Sequence, residues 1–206
     1  MCQKAKLEKL VDALDRLPET DLSTRLQVCQ QALALVGPRT PPETTARLYF
    51  ELGIDLLSLP GRRSAENLER AIAALEAARE WYTPSQHLNE WAVTVQNLAL
   101  AYAWRIDGVR AHNIEMAIEL NTLLLEHIPF TTSPYAHAHA HYQLAQLYMH
   151  YAFDDPADNI ETAIAHARHA LQVWTQSADL LRWARVQSLL GSLYPRRLCG
   201  DPVENL

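Results

Sequence analysis

A short motif that recurs at a fixed spacing constrains the fold of this chain more than any other feature. It runs from Ala65 to Ile72, from Ala111 to Ile118 and from Ala157 to Ile164, and a fourth copy begins at Val203. The asparagines of the four copies stand at positions 67, 113, 159 and 205, so the period is 46 residues. A fixed period between about 20 and 50 residues is typical of stacked structural repeats. The sequence therefore predicts a repeat array.

Apolar residues recur at helical spacing along the whole chain, and no segment shows the period of two that a strand requires. The spacing predicts helices over about 3–17, 21–36, 44–58, 64–82, 88–106, 110–128, 134–152, 156–175 and 179–195. Start signals agree, because Ser133-Pro134, Asp155-Pro156 and Asp201-Pro202 each place a capping side chain before a proline. We expect an all-α fold built from antiparallel helix pairs.

The register predicts a single repeat domain over residues 1–206, with capping helices in 1–43, units at 44–87, 88–133 and 134–178, and an incomplete unit at 179–206. The last helix lacks most of its mate. We therefore expect an uncovered apolar end, and with it either a longer array or self-association. Its residues are Leu189, Leu190, Leu193, Tyr194 and Leu198.

Superimposing the copies identifies columns that we predict to be core. The first helices contribute Leu52, Leu98, Leu144 and Leu190, then Gly53, Ala99, Ala145 and Gly191, then Leu56, Tyr102, Tyr148 and Tyr194. The second helices contribute Ala71, Ala117 and Ala163, then Ala78, Leu124 and Ala170. A small residue beside a large one lets two helix backbones approach closely. We expect Tyr102 and Tyr148 to be largely buried at helix crossings.

These residues resemble the tetratricopeptide repeat, whose signature is Leu-Gly-x-x-Tyr in the first helix and Ala-x-x-x-aromatic in the second. The matching runs are 98–102, 144–148 and 190–194. The chain departs from the family in length, since the usual unit has about 34 residues. It also replaces the second-helix aromatic with Leu75, Asn121 and Ala167. The resemblance implies a right-handed solenoid of helix pairs.

The run from Arg105 to Glu115, Arg-Ile-Asp-Gly-Val-Arg-Ala-His-Asn-Ile-Glu, resembles the longer repeats that precede caspase-like CHAT domains in bacterial proteins. This likeness covers roughly residues 21–206. It implies a scaffold that binds a peptide or protein partner. The alternative is a regulatory or sensor region that controls an attached effector, such as a CHAT peptidase, encoded outside this chain.

In arrays of this kind the first helix of each pair lines the concave face. Carried through the register, the resemblance implies partner-binding positions at Arg47, Phe50, Ile54, Gln96, Leu100, Trp104, His139, Tyr142, Gln146, His150, Arg185 and Ser188. Such a mixture suits an extended or helical peptide with apolar anchors. The alternative is that part of the stripe packs within the protein. We expect Trp104, Tyr142 and Arg185 to be exposed.

Histidines at 137, 139 and 141 suggest a metal site, since residues four apart share a helix face. However, His137 shares a column with Trp91 and Trp183, and no carboxylate completes a ligand set. We therefore predict that His137 packs, and that the chain binds no metal or other cofactor. The recurrent asparagine is expected to tie the long turn to its helix. No nucleophile motif or phosphate loop occurs, so we expect no enzyme activity.

The composition narrows the classes of partner and compartment. The formal net charge of −6 argues against general affinity for nucleic-acid phosphates. Cys2, Cys29 and Cys199 are odd in number and lack C-x-x-C spacing, so they suggest neither a disulfide framework nor a thiolate zinc site. The sequence shows neither a signal-peptide pattern nor an apolar run of about 18 residues. We expect a cytoplasmic protein without membrane association.

Overall fold

The computed structural model describes residues 3–60, 64–150 and 155–197, and no strand occurs among them. The helices are α1 (Gln3–Arg16), α2 (Leu22–Leu33), α3 (Pro42–Ser58), α4 (Ala65–Trp81), α5 (Leu88–Trp104), α6 (Arg110–His127), α7 (Pro134–His150), α8 (Pro156–Leu171) and α9 (Leu180–Leu193), with a 3₁₀ turn at Tyr194–Arg196. The all-α prediction is confirmed, and each predicted boundary agrees to within about four residues.

Side-chain caps start several of the helices. Ser64 and Asp155 accept hydrogen bonds from backbone N–H groups in the first turns of α4 and α8. Ser133 does the same for α7, with its Oγ 3.4 Å from the N–H of Ala136. These bonds satisfy backbone donors that have no partner within the helix. The predicted cap at Asp201 lies outside the described residues, as do the fourth repeat copy, Leu198, Cys2 and Cys199.

The chain divides into two compact units, Met1–Gly108 and Val109–Leu206. In the first unit each helix from α1 to α5 packs on the next, and α3 also contacts α5. In the second unit α6 to α9 pack in the same sequential way, and α7 also contacts α9. Within each unit the first helices of consecutive pairs therefore lie side by side. The finer division into 46-residue units stays a prediction.

The predicted leucine and alanine columns form the cores of both units. Leu98, Leu144 and Leu190 are buried, as are all three members of the column that begins at Ala71, whereas Leu52 is half-buried and Gly191 is exposed. The expected uncovered apolar end is wrong for Leu189, Leu190 and Leu193, because these side chains are buried in the core with α7 and α8. Gly53 shows why the small column matters, because a Cβ at this position would lie only 2.6 Å from Cγ of Leu75. Carbon atoms normally stay about 3.5–4.0 Å apart, so α3 and α4 approach closely only because this residue is glycine.

The tyrosine column differs from the expectation. Tyr102 and Tyr148 are half-buried rather than largely buried, because both lie in the last turns of their helices. The Tyr102 ring contacts the guanidinium of Arg105 at 5.7 Å, and the Tyr148 ring stacks on His166 at 5.7 Å between centroids. These rings therefore pack at the helix ends, where part of each ring is accessible to solvent.

A further buried column was missed in the sequence. Tyr82, Ile128 and Trp174 follow α4, α6 and α8 at the 46-residue spacing, and each is buried. After each of these three residues, a turn closed by backbone hydrogen bonds leads into the next helix. Large apolar residues at these positions fill the space beneath each turn between helices.

Ion pairs join neighbouring elements within each unit. In unit 1 the buried Arg25 of α2 contacts Asp55 at 3.0 Å and Glu51 at 2.5 Å, both on α3. Arg105 binds both carboxylate oxygens of Glu69 at 2.7 Å. Two-point pairing of this kind fixes orientation as well as distance. Arg105 thereby ties the end of α5 to α4.

Candidate functional site

The twelve predicted binding residues fall into two groups that belong to different units. The α3/α5 face of unit 1 consists of Arg47, Phe50, Ile54, Gln96, Leu100 and Trp104. The α7/α9 face of unit 2 consists of His139, Tyr142, Gln146, His150, Arg185 and Ser188. Because α3 contacts α5 and α7 contacts α9, each group lies on two adjacent helices.

All six side chains of the α3/α5 face are half-buried. Arg47 forms an ion pair with Asp15 of α1, and the hydrogen bond from this pair raises the pKa of the guanidinium. The ring of Phe50 packs edge-on against Tyr82 with centroids 6.2 Å apart. Arg47 and Phe50 are therefore engaged within unit 1, which agrees with the alternative that part of the stripe packs within the protein.

The α7/α9 face combines half-buried rings with exposed polar groups. The Tyr142 ring contacts Trp174 edge-on at 5.7 Å, and Nε2 of Gln146 donates a hydrogen bond to the Tyr142 hydroxyl at 3.3 Å. His139 packs on the same indole at 6.3 Å. These three side chains of α7 are thus linked through one buried tryptophan.

The other half of the α7/α9 face is accessible. His150, Arg185 and Ser188 are exposed. Ser192, one turn beyond Ser188 on α9, places its Oγ 3.5 Å from Sδ of Met149 on α7. This contact shows that the corresponding faces of α7 and α9 adjoin at this level.

The expected exposure of three site residues is correct only in part. Arg185 is exposed as predicted, whereas Trp104 and Tyr142 are half-buried, so the prediction is wrong for the two rings. For Tyr142 the physical reason is Trp174, whose indole covers one edge of the ring. Half-buried aromatic rings are nevertheless the type of residue that anchors partners at protein interfaces.

A polar network that the sequence analysis missed holds the start of α9 against α7. Arg182 lies over the rings of Tyr135 at 5.4 Å and Trp174 at 5.6 Å. Asp179 accepts hydrogen bonds from Arg182 and from the hydroxyl of Tyr135, which is 2.9 Å away. These donors lower the pKa of Asp179 to about 2, so it is ionised at neutral pH. The buried column containing Trp174 was the signal that could have located this network.

Histidines converge on the opposite side of α7, where it packs against α8. Nδ1 of His141 lies 2.8 Å from Nδ1 of His166, and the His141 ring stacks on His169 with centroids 4.8 Å apart. Burial, followed by repulsion from neighbouring histidines, lowers the pKa of His141 and of His166 to about 4. Both rings are therefore neutral at pH 7, and the Nδ1–H of one ring donates a hydrogen bond to Nδ1 of the other.

The remaining histidine predictions concern packing and metal binding. His137 hydrogen-bonds through Nε2 to the carbonyl of Ile128 and packs edge-on against Phe130 at 5.6 Å. Its predicted packing role is therefore confirmed. His139 has its pKa lowered by burial and by Arg182. Across 3–60, 64–150 and 155–197, no three His, Cys, Asp or Glu residues are placed to hold a metal ion.

Residues of the recurrent motif are directed toward the protein interior. Asn113 and Asn159 are buried, and Asn67 is half-buried. Burial leaves the first two amides unavailable to a ligand in solution. Gly108, which precedes the motif in the second copy, has φ of 81°, a left-handed conformation that glycine adopts without a steric penalty. The motif and its preceding turn thus serve the helix junction.

Unit 1 also contains a groove of about 640 Å³ between α1 and the loop that enters α3. Its wall combines apolar side chains with charges of both signs. The lining residues are Gln3, Lys4, Leu7, Glu8, Val11, Asp12, Leu35, Gly37, Pro38, Arg39, Thr40, Pro41 and Thr44. The repeat register did not predict this groove because its walls lie before the first complete helix pair.

Comparison with known proteins leaves the family open, because no protein-family model matches the chain and no curated protein does so either. Within the described part of the chain, every helix is too short or too polar to cross a membrane.

Proposed function

We propose that this chain is a protein-binding module of the tetratricopeptide-like type, which holds a peptide or protein partner against the first helices of its pairs. Support comes from the contacts of α3 with α5 and of α7 with α9, which place candidate residues on adjacent helices in each unit. Side-by-side helices offer a surface that a bound segment can follow.

The α7/α9 face is the observation that carries this proposal. Tyr142 rests on the buried Trp174 and presents a half-buried ring. Arg185 and Ser188 on α9 are exposed polar groups in the same register. Partner surfaces commonly combine a supported aromatic anchor with surrounding polar groups, since the anchor supplies burial and the polar groups supply orientation.

Photo-crosslinking from single positions tests the proposal. A photoreactive amino acid at Ser188 is expected to capture a discrete partner from cells that express the protein. The matched control carries the same group at Ala165, an exposed position on α8 that faces away from the candidate residues by register. Capture must then be repeated with the purified partner. Equal capture from both positions, or none from Ser188, would refute binding at this face.

A second function is favoured by the run from Arg105 to Glu115. Arg105 holds Glu69, Gly108 makes the turn and Asn113 is buried, so these residues specify a type of repeat junction. Their resemblance to arrays that precede CHAT domains leads us to propose, as the alternative, a regulatory region for an attached effector. Sequencing the reading frame around the gene separates the two, because only regulation requires an effector in the same polypeptide or operon.

A further inference from the structure

The acidic residues in the helices of unit 2 all lie on its second helices, α6 and α8, which also contain basic residues such as Arg110 and Arg168. Neither α7 nor α9 contains an Asp or a Glu, whereas their basic or titratable groups are His137, His139, His141, His150, Arg182 and Arg185. The second helices, α6 and α8, contain the acidic residues Glu115, Glu119, Glu126, Asp158 and Glu161. The α7/α9 face therefore lacks carboxylates of its own within a chain whose net charge is −6.

The carboxylate that precedes α9 is already engaged. Asp179, which precedes α9, accepts hydrogen bonds from Arg182 and Tyr135. Arg182 is held in turn over the ring of Trp174. Arg185, one turn further along α9, is exposed and forms no ion pair with any residue that the structure describes. It is the cation of this face that remains available to a partner.

The α3/α5 face of unit 1 has the opposite character. Its helices contain Glu43 and Glu90, together with Glu51 and Asp55 that pair with Arg25, and their one basic residue, Arg47, is paired with Asp15. An acidic segment near these helices meets carboxylates, and repulsion between like charges opposes its binding. Among the two candidate faces, charge complementarity with an acidic partner is thus confined to α7 and α9.

We infer that the α7/α9 face binds an acidic segment of the partner, in which a carboxylate pairs with Arg185 and a neighbouring apolar side chain packs on Tyr142. This inference rests on the proposed function and adds the chemical class of the partner. The apolar contact supplies most of the affinity. The ion pair is exposed, so it contributes mainly to selection among partners and to the rate of association.

Fluorescence anisotropy with three labelled peptides tests the charge preference directly. The probes alternate leucine with glutamate, with glutamine or with lysine, so that they share length and apolar content. We expect the glutamate peptide to bind roughly tenfold more tightly than the glutamine peptide at low salt, and the lysine peptide to bind most weakly. Added salt should reduce this difference, because the pair is exposed to solvent.

Variants locate the binding on α9. Arg185→Glu should weaken binding of the glutamate peptide by roughly five- to tenfold, since it replaces an attraction by a repulsion. Arg185→Lys keeps the charge and should change affinity by less than about twofold. The matched control is Arg39→Glu, which reverses an exposed arginine without a described ion pair in unit 1. Thermal unfolding of each variant verifies that the fold is retained.

The outcomes separate this inference from the proposed function. Equal affinity for the glutamate and glutamine peptides would overturn the acidic preference, while crosslinking from Ser188 would still support partner binding. Loss of binding in Arg39→Glu but not in Arg185→Glu would place the peptide in the groove beside α1 and overturn the inference. Failure of all three peptides to bind would also overturn it, and the crosslinking experiment would then decide the proposed function by itself.

Discussion

Replacing Gly53 by alanine places a methyl group where α3 and α4 are closest. The new Cβ would lie 2.6 Å from Cγ and 2.8 Å from Cδ2 of Leu75. Leu75 is completely buried, so it has no space toward solvent into which it could turn. The side chain or the helix must therefore shift by about 1 Å to restore ordinary contact distances.

The size of the effect follows from two opposing contributions. Forcing an extra methyl group into a packed core typically costs about 1–3 kcal/mol. Alanine is the better helix former and returns about 0.8–1 kcal/mol. Because the contact is with a branch carbon of Leu75, we expect the upper part of the packing range. The free energy of unfolding should then fall by about 1–2 kcal/mol in Gly53→Ala.

Gly191 supplies a matched control from the same repeat column. A Cβ at this position meets no atom within 4 Å, so only the gain in helix propensity remains. Gly191→Ala should therefore raise the free energy of unfolding of unit 2 by about 0.5–1 kcal/mol. Two chemically identical substitutions at repeat-equivalent positions are thus expected to have opposite signs.

Urea denaturation followed by far-ultraviolet circular dichroism measures both effects. Native-state hydrogen exchange then assigns each change to α3 and α4 or to α9. The cost of Gly53→Ala should shrink when Leu75 is shortened to valine, since the two side chains compete for the same space. If Gly53→Ala stabilises the protein as much as Gly191→Ala does, the close approach of α3 and α4 is wrong.

Three further predictions concern stability. As the pH falls from about 6.5 to 5, unit 2 should lose roughly 1–2 kcal/mol, since His141 and His166 protonate in the unfolded chain but resist protonation when folded. Stability measured by urea denaturation at several pH values tests this. Arg25→Met should cost about 3 kcal/mol, because it leaves Asp55 as a buried charge without its partner, and adding Asp55→Asn should recover part of the loss in the same assay. Tyr102→Ala should cost about 2 kcal/mol, less than a fully buried ring, as measured by the shift of the urea midpoint.

The sign of the pH effect depends on which groups surround the pair. Burial disfavours the imidazolium form of His141 most strongly, and histidines 166, 169 and 137 repel it in addition. Both pKa values are depressed, so the destabilisation begins at the unfolded pKa of about 6.5 and continues until the folded value of about 4 is reached. The double variant His141→Phe and His166→Phe should flatten the profile between pH 6.5 and 5. An unchanged slope would contradict the assignment.

The helical fold could be predicted from the sequence because burial at a helix crossing restricts side-chain size in every copy. Leu98, Leu144 and Leu190 illustrate this restriction, since they are identical and buried. The residues that surround the candidate site were harder to predict from the repeated columns. Trp174 lies in the turn after α8, where its column contains the dissimilar residues Tyr82 and Ile128. The three residues of this column are all large but are not identical, so the column is harder to recognise in the sequence.

The exposure of the candidate residues depends on contacts between side chains of different helices. The alignment of the repeats gives no information about these contacts. The register placed Tyr142 on the correct side of α7, but its half-burial results from Trp174, thirty-two positions further along the chain. Arg47 was expected to contact a partner, yet it pairs with Asp15 in α1, a helix too divergent to be aligned with the repeats. Both differences arise from neighbours outside the repeated columns.

Some contacts near the turns recur at twice the repeat period. Arg105 pairs with Glu69, and Arg197 pairs with Glu161 at 2.6 Å, with both members displaced by 92 positions. The hydroxyls of Thr83 and Ser85 lie 3.2 Å apart, and those at 175 and 177 repeat this distance at the same displacement. These junction contacts are therefore shared by two copies that lie 92 positions apart.

A residue type therefore recurs at positions where the fold requires the same contact in each copy. Core columns repeat every 46 residues because the helix pairs need similar packing, and some junction contacts repeat at 92. The column that holds Arg47, Val93, His139 and Arg185 varies in charge and in size between copies. Positions that are not required for packing can differ between copies. The helices α3 and α5 accordingly contain carboxylates, whereas α7 and α9 contain none. The acidic partner that we infer for the α7/α9 face would be selected by this variation between copies.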